Sequence, residues 1–189
     1  MSVEQLLTRL EPRAGLGWMI QRELVAHREI AAICGERISG VRVNVFLSNK
    51  GAKLLRATWK INVGRDSDNF DAGRSGNLVA AIDLANGTVT RVVSGLGIHQ
   101  RELSTHPVTG AKLLGFAIPH WAELVGLVEN AAAAFPGFIC QGWDVALCDQ
   151  GPVVLEVNDF GDIDLVQAAH GTGFLDAQFM AFLRGRDLE

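Results

Sequence analysis

Hydrophobic and polar positions change period several times along this chain. Val41-Arg42-Val43-Asn44-Val45-Phe46-Leu47 alternates with period two, as a β-strand does. Asn49-Lys50-Gly51 reads as a turn, and 53–63 as the returning strand of a long hairpin. A polar, glycine-rich loop fills 64–76. A second hairpin is predicted from 77–84 and 88–93, joined at Ala85-Asn86-Gly87. The helical spacing of Trp121, Leu124, Val125, Val128 and Ala132 predicts a helix that Pro119 starts and Pro136-Gly137 stops. A third hairpin follows: 139–147, a turn at 148–152, and Val153-Val154-Leu155-Glu156-Val157-Asn158.

Shorter elements flank this middle. Ser2 to Leu10 has a capping residue and an amphipathic spacing, with a stop near Pro12. Residues 17–24 read as a strand, and Ala26 to Cys34 as a helix ended by Gly35. Residues 94–119 hold no sustained period and read as a long connector. After Asp162-Ile163-Asp164, one or two helices run to the end, broken near Gly171-Thr172-Gly173. Asp162 and Asp164 suit capping of that first helix. Hairpins interleaved with helices predict an α+β fold, with a largely antiparallel sheet and packed helices.

Composition narrows the class. With 189 residues, 48% hydrophobic and 20% charged, the chain can bury a core as a single domain over 1–189. A net charge of -4 without a long basic run argues against a nucleic-acid partner. No apolar stretch reaches the ~20 residues that span a bilayer. Cys34, Cys140 and Cys148 form no CxxC pair, so reduced, buried thiols in a cytoplasmic protein are expected.

The chemistry concentrates in the third hairpin. Carboxylates in apolar strands are costly to bury without partners. Glu156 and Asn158 are two apart and share a face, with Leu155 and Val157 pointing the other way. Asp144 on the preceding strand can face them across the ladder. Three oxygen ligands suit a hard cation such as Mg²⁺, with waters or phosphate completing the shell. Arg42 and Lys60 can hold phosphate oxygens or a substrate carboxylate, and Arg56 shares a face with Lys60. His27, His106 and His120 lack zinc spacing and read as structural.

Gly142-Trp143-Asp144-Val145-Ala146, Gly151-Pro152 and Leu155-Glu156-Val157-Asn158 together resemble the last hairpin of the ATP-grasp superfamily. Ile20-Gln21, Val41-Arg42-Val43, Asp68-Asn69-Phe70, Ala81-Ile82-Asp83, His106-Pro107-Val108-Thr109-Gly110, Ile118-Pro119-His120-Trp121 and Asp164-Leu165-Val166-Gln167 extend the likeness. In that order, over 18–167, they resemble the sugar-transfer-associated ATP-grasp proteins, with 1–17 as a leader and 168–189 as a terminal helix.

The resemblance implies ATP between two lobes, with Mg²⁺ bridging its phosphates to Asp144, Glu156 and Asn158. It places Gln21 and Glu23 at an inter-lobe hinge, contacting adenine and ribose, and Asn69 near phosphate or acceptor. It implies a ligase that activates a carboxylate as an acyl phosphate, in polysaccharide or cell-envelope metabolism. The acceptor would be a small carboxylate or sugar-linked molecule. Lys60 stands where family members often carry arginine. Only twenty residues, none of them lysine, precede Gln21. The chain is thus expected to match a C-terminal portion, without the earlier lobe and its lysine-bearing lid, and its uncovered cleft favours a homo-oligomer. A non-catalytic binding or assembly module and an ATP-dependent kinase are the competing readings.

Overall fold

Three hairpins and a short fifth strand assemble into one seven-stranded antiparallel sheet in a computed structural model that describes residues 2–11, 15 and 21–184, the side chains of 178 and 183 excepted. The strands are β1 (Val41–Ser48), β2 (Gly51–Ile61), β3 (Leu78–Ile82), β4 (Val89–Ser94), β5 (Arg101–Glu102), β6 (Cys140–Cys148) and β7 (Gly151–Asp159). The helices are α1 (Val3–Leu10), α2 (Arg28–Cys34), α3 (Trp121–Ala132), α4 (Ile163–His170) and α5 (Ala177–Leu183). Sheet order is β5-β4-β3-β2-β1-β6-β7, so the long crossover through α3 brings β6 beside β1. The α+β architecture read from the sequence is the one observed.

Both faces of the sheet are covered. On the first face Val41, Val43, Val45, Trp59, Trp143 and Val145 pack against Ile30 and Ile33 of α2 and Leu124, Val128 and Ala132 of α3. On the second, Phe46, Val79, Ala81, Val93 and Cys140 meet Leu165, Val166 and Ala169 of α4, then Phe174, Phe179 and Phe182. β1 alternates in sequence, yet Arg42 and Asn44 are buried along with Val41, Val43 and Val45. Its polar side is the interior of a second layer, not a solvent face.

Local signals explain most boundaries. Ser2 accepts from the Gln5 N–H and Gln5 answers the Ser2 N–H, a capping box. Gly35 ends α2 at φ +84, and Gly171 ends α4 at φ +68, both in the left-handed range glycine tolerates. Asp162 caps α4 by accepting from the Asp164 N–H at 3.0 Å.

Four details differ from expectation. Residues 17–20 of the expected hinge strand lie outside the described residues, and 21–25 form no strand. Helix α3 begins at Trp121 rather than at Pro119, because His120 turns the chain at φ +55. The connector 94–119 supplies β5, which pairs with β4. A register shift between Asp144 and Val145 leaves Leu155 as an extra residue, exposed rather than packed with Val157.

The three cysteines are buried and unpaired. Burial pushes the Cys34 and Cys140 thiols up to about 11. Among the described residues, no helix is long and apolar enough to cross a membrane.

Candidate functional site

The second face of β1, β2 and β6 carries a row of charged side chains under the helical layer. Arg42 pairs in register with Asp144 on β6, and Asp144 in turn with Glu156 on β7. The guanidinium grips the carboxylate at both oxygens, through Nε to Oδ1 and through Nη2 to Oδ2 at 2.9 Å. Lys60, reaching from β2, donates to the same Oδ2 at 3.1 Å. Its Nζ also lies 3.3 Å from Asp68 Oδ1. Asp68 is anchored by the Gly40 N–H at 2.8 Å. Glycine suits position 40, since a Cβ there would meet Asp68 Oδ2 and Val145 O at 3.2 Å.

Four charges thus balance in a buried chain, Arg42–Asp144–Lys60–Asp68. Burial pushes the Asp144 carboxyl up, but hydrogen bonds from Arg42 and the charges of Lys60 and Arg42 outweigh it, leaving its pKa below the usual carboxylate range. Burial likewise opposes the Arg42 charge, and Asp144 more than restores it. Asp68 has no role in the sequence pattern. Its pairing with Lys60 depends on the 62–77 loop returning to the sheet, which no local period encodes.

Oxygen donors for a hard cation stand at the end of this row. Glu156 is exposed and accepts from the Asn158 amide at 3.1 Å, so the two side chains share one small volume. Asp144 lies directly opposite Glu156. Of the about four acceptor positions on a carboxylate, Arg42 and Lys60 fill three. The donor set fits Mg²⁺ with Glu156 and Asn158 as main ligands and Asp144 contributing through one remaining lone pair. Among the described residues no three His, Cys, Asp or Glu side chains converge as a metal group; this set has two carboxylates and an amide.

A groove of about 620 Å³ opens beside the hairpin, lined by Glu23, Leu24, Glu36, Arg37, Ile38, residues 66–68 and Leu155. Its size falls in the range of small-molecule sites. The β7 bulge aims Leu155 there, next in sequence to Glu156. The structure therefore brings Glu23 to the strand that bears the cation donors. Gln21 is exposed. The Asn69 side chain is exposed too, and its carbonyl accepts from Asn77 at 2.9 Å.

Other candidates are engaged in holding the fold. Arg56 donates to Thr172 Oγ1 at 2.6 Å, to the Gly173 carbonyl and to Asp176, pinning the α4–α5 connection. His27 caps α2 through Nδ1, and His106, 2% exposed, bonds the Asn62 carbonyl at 3.0 Å. Asn44 and Thr58 occupy the polar half of alternating strands, a pattern that in sequence looks solvent-facing. Both are fully buried on the charged face beside Arg42.

No curated protein and no solved structure matches the chain. The family model for sugar-transfer-associated ATP-grasp proteins matches residues 12–180. With that match over most of its length, the chain belongs to the sugar-transfer-associated ATP-grasp family.

Proposed function

We propose that this protein binds ATP with Mg²⁺ and serves ligase-type chemistry, in which a carboxylate is activated as an acyl phosphate. One observation carries the reading: the Glu156–Asn158 donor pair stands at the end of the same sheet face that holds Arg42 and Lys60. Phosphoryl transfer needs little covalent help from a protein; it needs positioning and neutralisation of negative charge. Glu156 and Asn158, with Asp144 behind them, would hold the cation, which supplies charge neutralisation at the phosphates. Arg42 and Lys60 would orient phosphoryl or carboxylate oxygens from the buried side. The groove between Glu23 and Leu155 would receive the adenosine end, with Gln21 at its approach and Asn69 toward the acceptor.

A second reading is a nucleotide-binding module without transfer. It is favoured by the pairing of both cations with carboxylates, Arg42 with Asp144 and Lys60 with Asp144 and Asp68. Both readings expect thermal stabilisation by Mg²⁺ and a non-hydrolysable ATP analogue. At 100-fold over the dissociation constant this amounts to about 2.7 kcal/mol. The stabilisation should vanish in Glu156→Ala. An unshifted melting temperature in the wild-type chain overturns both. ADP release with a carboxylate panel separates them: turnover supports the ligase, and binding without turnover supports the module.

A further inference from the structure

Helix α1 is folded but unpacked. Val3, Leu6, Leu7 and Leu10 follow the i, i+3, i+4, i+7 spacing and form one apolar stripe along it. None of its residues is buried, and Val3 is 74% and Leu7 61% exposed. A capping box and Glu4 in the first turn support its N-terminal end. Caps alone do not sustain eight residues, because a helix this short is marginal in water without a packed apolar face. The stripe therefore calls for a surface that its own copy does not supply.

A surface of matching character lies at the start of β6, the end of β7 and α5. A groove of about 390 Å³ opens there. Phe46, Phe179 and Phe182 are its buried floor, with the Phe46 and Phe182 rings stacked at 3.9 Å. Ile139, 52% exposed, and Phe160, 44% exposed, form its lip. Phe160 is held there at φ +64, a costly conformation for a bulky residue. An apolar concavity with an apolar lip suits the apolar face of a helix. Charge agrees with this fit. Among the described residues, Asp159 is the one charged side chain that lines the groove. Arg9 borders the α1 stripe, three residues after Leu6. Neither Arg9 nor Asp159 has an ion-pair partner among the described residues.

We propose that α1 of one copy docks its stripe into this groove of a second copy, with Arg9 meeting Asp159. The helix does not fill the groove of its own copy, since α1 is unburied and the groove open in the same molecule. A helix about 12 Å long is a small patch against the about 1,200 Å² that a stable interface buries. Reciprocal exchange between two copies doubles the patch. It also closes with twofold symmetry, leaving no free helix or groove to recruit a third copy. The exchange uses neither the Glu156–Asn158 donors nor the groove beside Glu23, so it goes beyond the nucleotide reading and stands without it.

Sedimentation velocity of the full chain over a range of concentrations, without nucleotide or metal, tests the exchange. A concentration-dependent dimer is expected. Leu7→Glu and Ile139→Glu should each weaken it at least tenfold. Both side chains are exposed, so the melting temperature of the dilute protein should hold. Arg9→Glu and Asp159→Arg should each weaken the dimer severalfold, and the two together in one chain should restore it. Differently tagged chains, one carrying Leu7→Cys and the other Ile139→Cys, should be joined by a short bismaleimide. Three outcomes would overturn the exchange: a monomer at every concentration, a dimer indifferent to both glutamate variants, or a chain with both new cysteines that is bridged within one copy.

Discussion

Two amide side chains, Gln141 and Asn44, sit on adjacent strands at 0% exposure and differ in everything else. Gln141 lies on the first face. Its Nε2 donates to the carbonyls of Ala132, Phe135 and Phe138 at 3.1, 3.1 and 2.7 Å, closing the C-terminal end of α3. Its Oε1 accepts from the Trp143 indole at 2.8 Å. Asn44 lies on the second face, and neither end of its amide has a partner among the described residues. Equal burial therefore conceals two kinds of polar residue. One is a structural clasp inside an apolar layer. The other stands beside the buried charged row of its layer.

The largest test of this contrast is at the centre of the second face. Asp144→Ala leaves Arg42 buried without its partner and Lys60 with only Asp68. Losing one member of a buried ion pair costs about 3–5 kcal/mol, and urea unfolding at neutral pH measures it. Trp59→Ala on the apolar face belongs in the same range, about 3–5 kcal/mol. If Asp144→Ala costs under about 1 kcal/mol, the charged row is not a structural unit, and the second face is held together by its apolar contacts alone.

Gln141→Leu comes next. It strands the Trp143 indole and removes the donors that close α3, so a loss of about 3 kcal/mol is expected. The comparison with Asn44→Leu is the sharp one, because the same kind of change there should cost nothing. Equal losses at the two sites would erase the distinction between the amides.

How much of this was legible in the chain divides along the same line. The hairpins were readable because turn residues and period-two runs are local: Asn86-Gly87 and Gly151 mark their ends, the two glycines at φ +73 and +114. That Glu156 and Asn158 share a face was readable too, but the two-residue connection at Asp149-Gln150 alone sets Asp144 opposite Leu155, and the bulge brings Glu156 there instead. Three things were not. The β7 bulge that turns out Leu155 inserts one residue without a compositional mark. Strand β5 exists only because Arg101 and Glu102 find β4. The burial of Arg42, Asn44, Thr58 and Lys60 depends on α4 and the β7–α4 turn folding back over a face whose alternation reads as solvated. Sequence period reports which residues share a face; it does not report what covers that face.

A pH test asks whether the second face accepts one more positive charge. His170, at the end of α4, donates through Nε2 to the Ala57 carbonyl at 3.0 Å. Burial lowers its pKa from 6.5 to about 4; the Ala57 bond opposes the shift, and Arg56 and Arg91 add to it. The folded chain therefore keeps the ring neutral while the unfolded chain takes up a proton. Stability from this group is complete above pH 6.5 and falls as pH drops toward 4, by about 3 kcal/mol at most. Denaturant unfolding across that window should slope less in His170→Gln than in the wild type. Equal slopes would mean that the ring is protonated without cost.

The smallest expected effect lies directly across the ladder from the largest. Glu156 faces Asp144 in register, yet it is exposed and accepts a hydrogen bond from Asn158. Glu156→Gln keeps the shape and that contact, so stability without ligand should change by less than about 0.5 kcal/mol. Its consequence should appear only when Mg²⁺ is added with a nucleotide analogue. Isothermal calorimetry then gives weaker binding, because a neutral amide replaces a charged oxygen ligand for a hard cation. A variant silent in unfolding and loud in calorimetry places Glu156 among residues kept for a ligand, while Asp144 one strand away is kept for both the fold and the ligand. A Glu156→Gln chain that binds Mg²⁺ and nucleotide as the wild type does would move the cation away from this hairpin, and would leave Asp144 as the structural centre of its face alone.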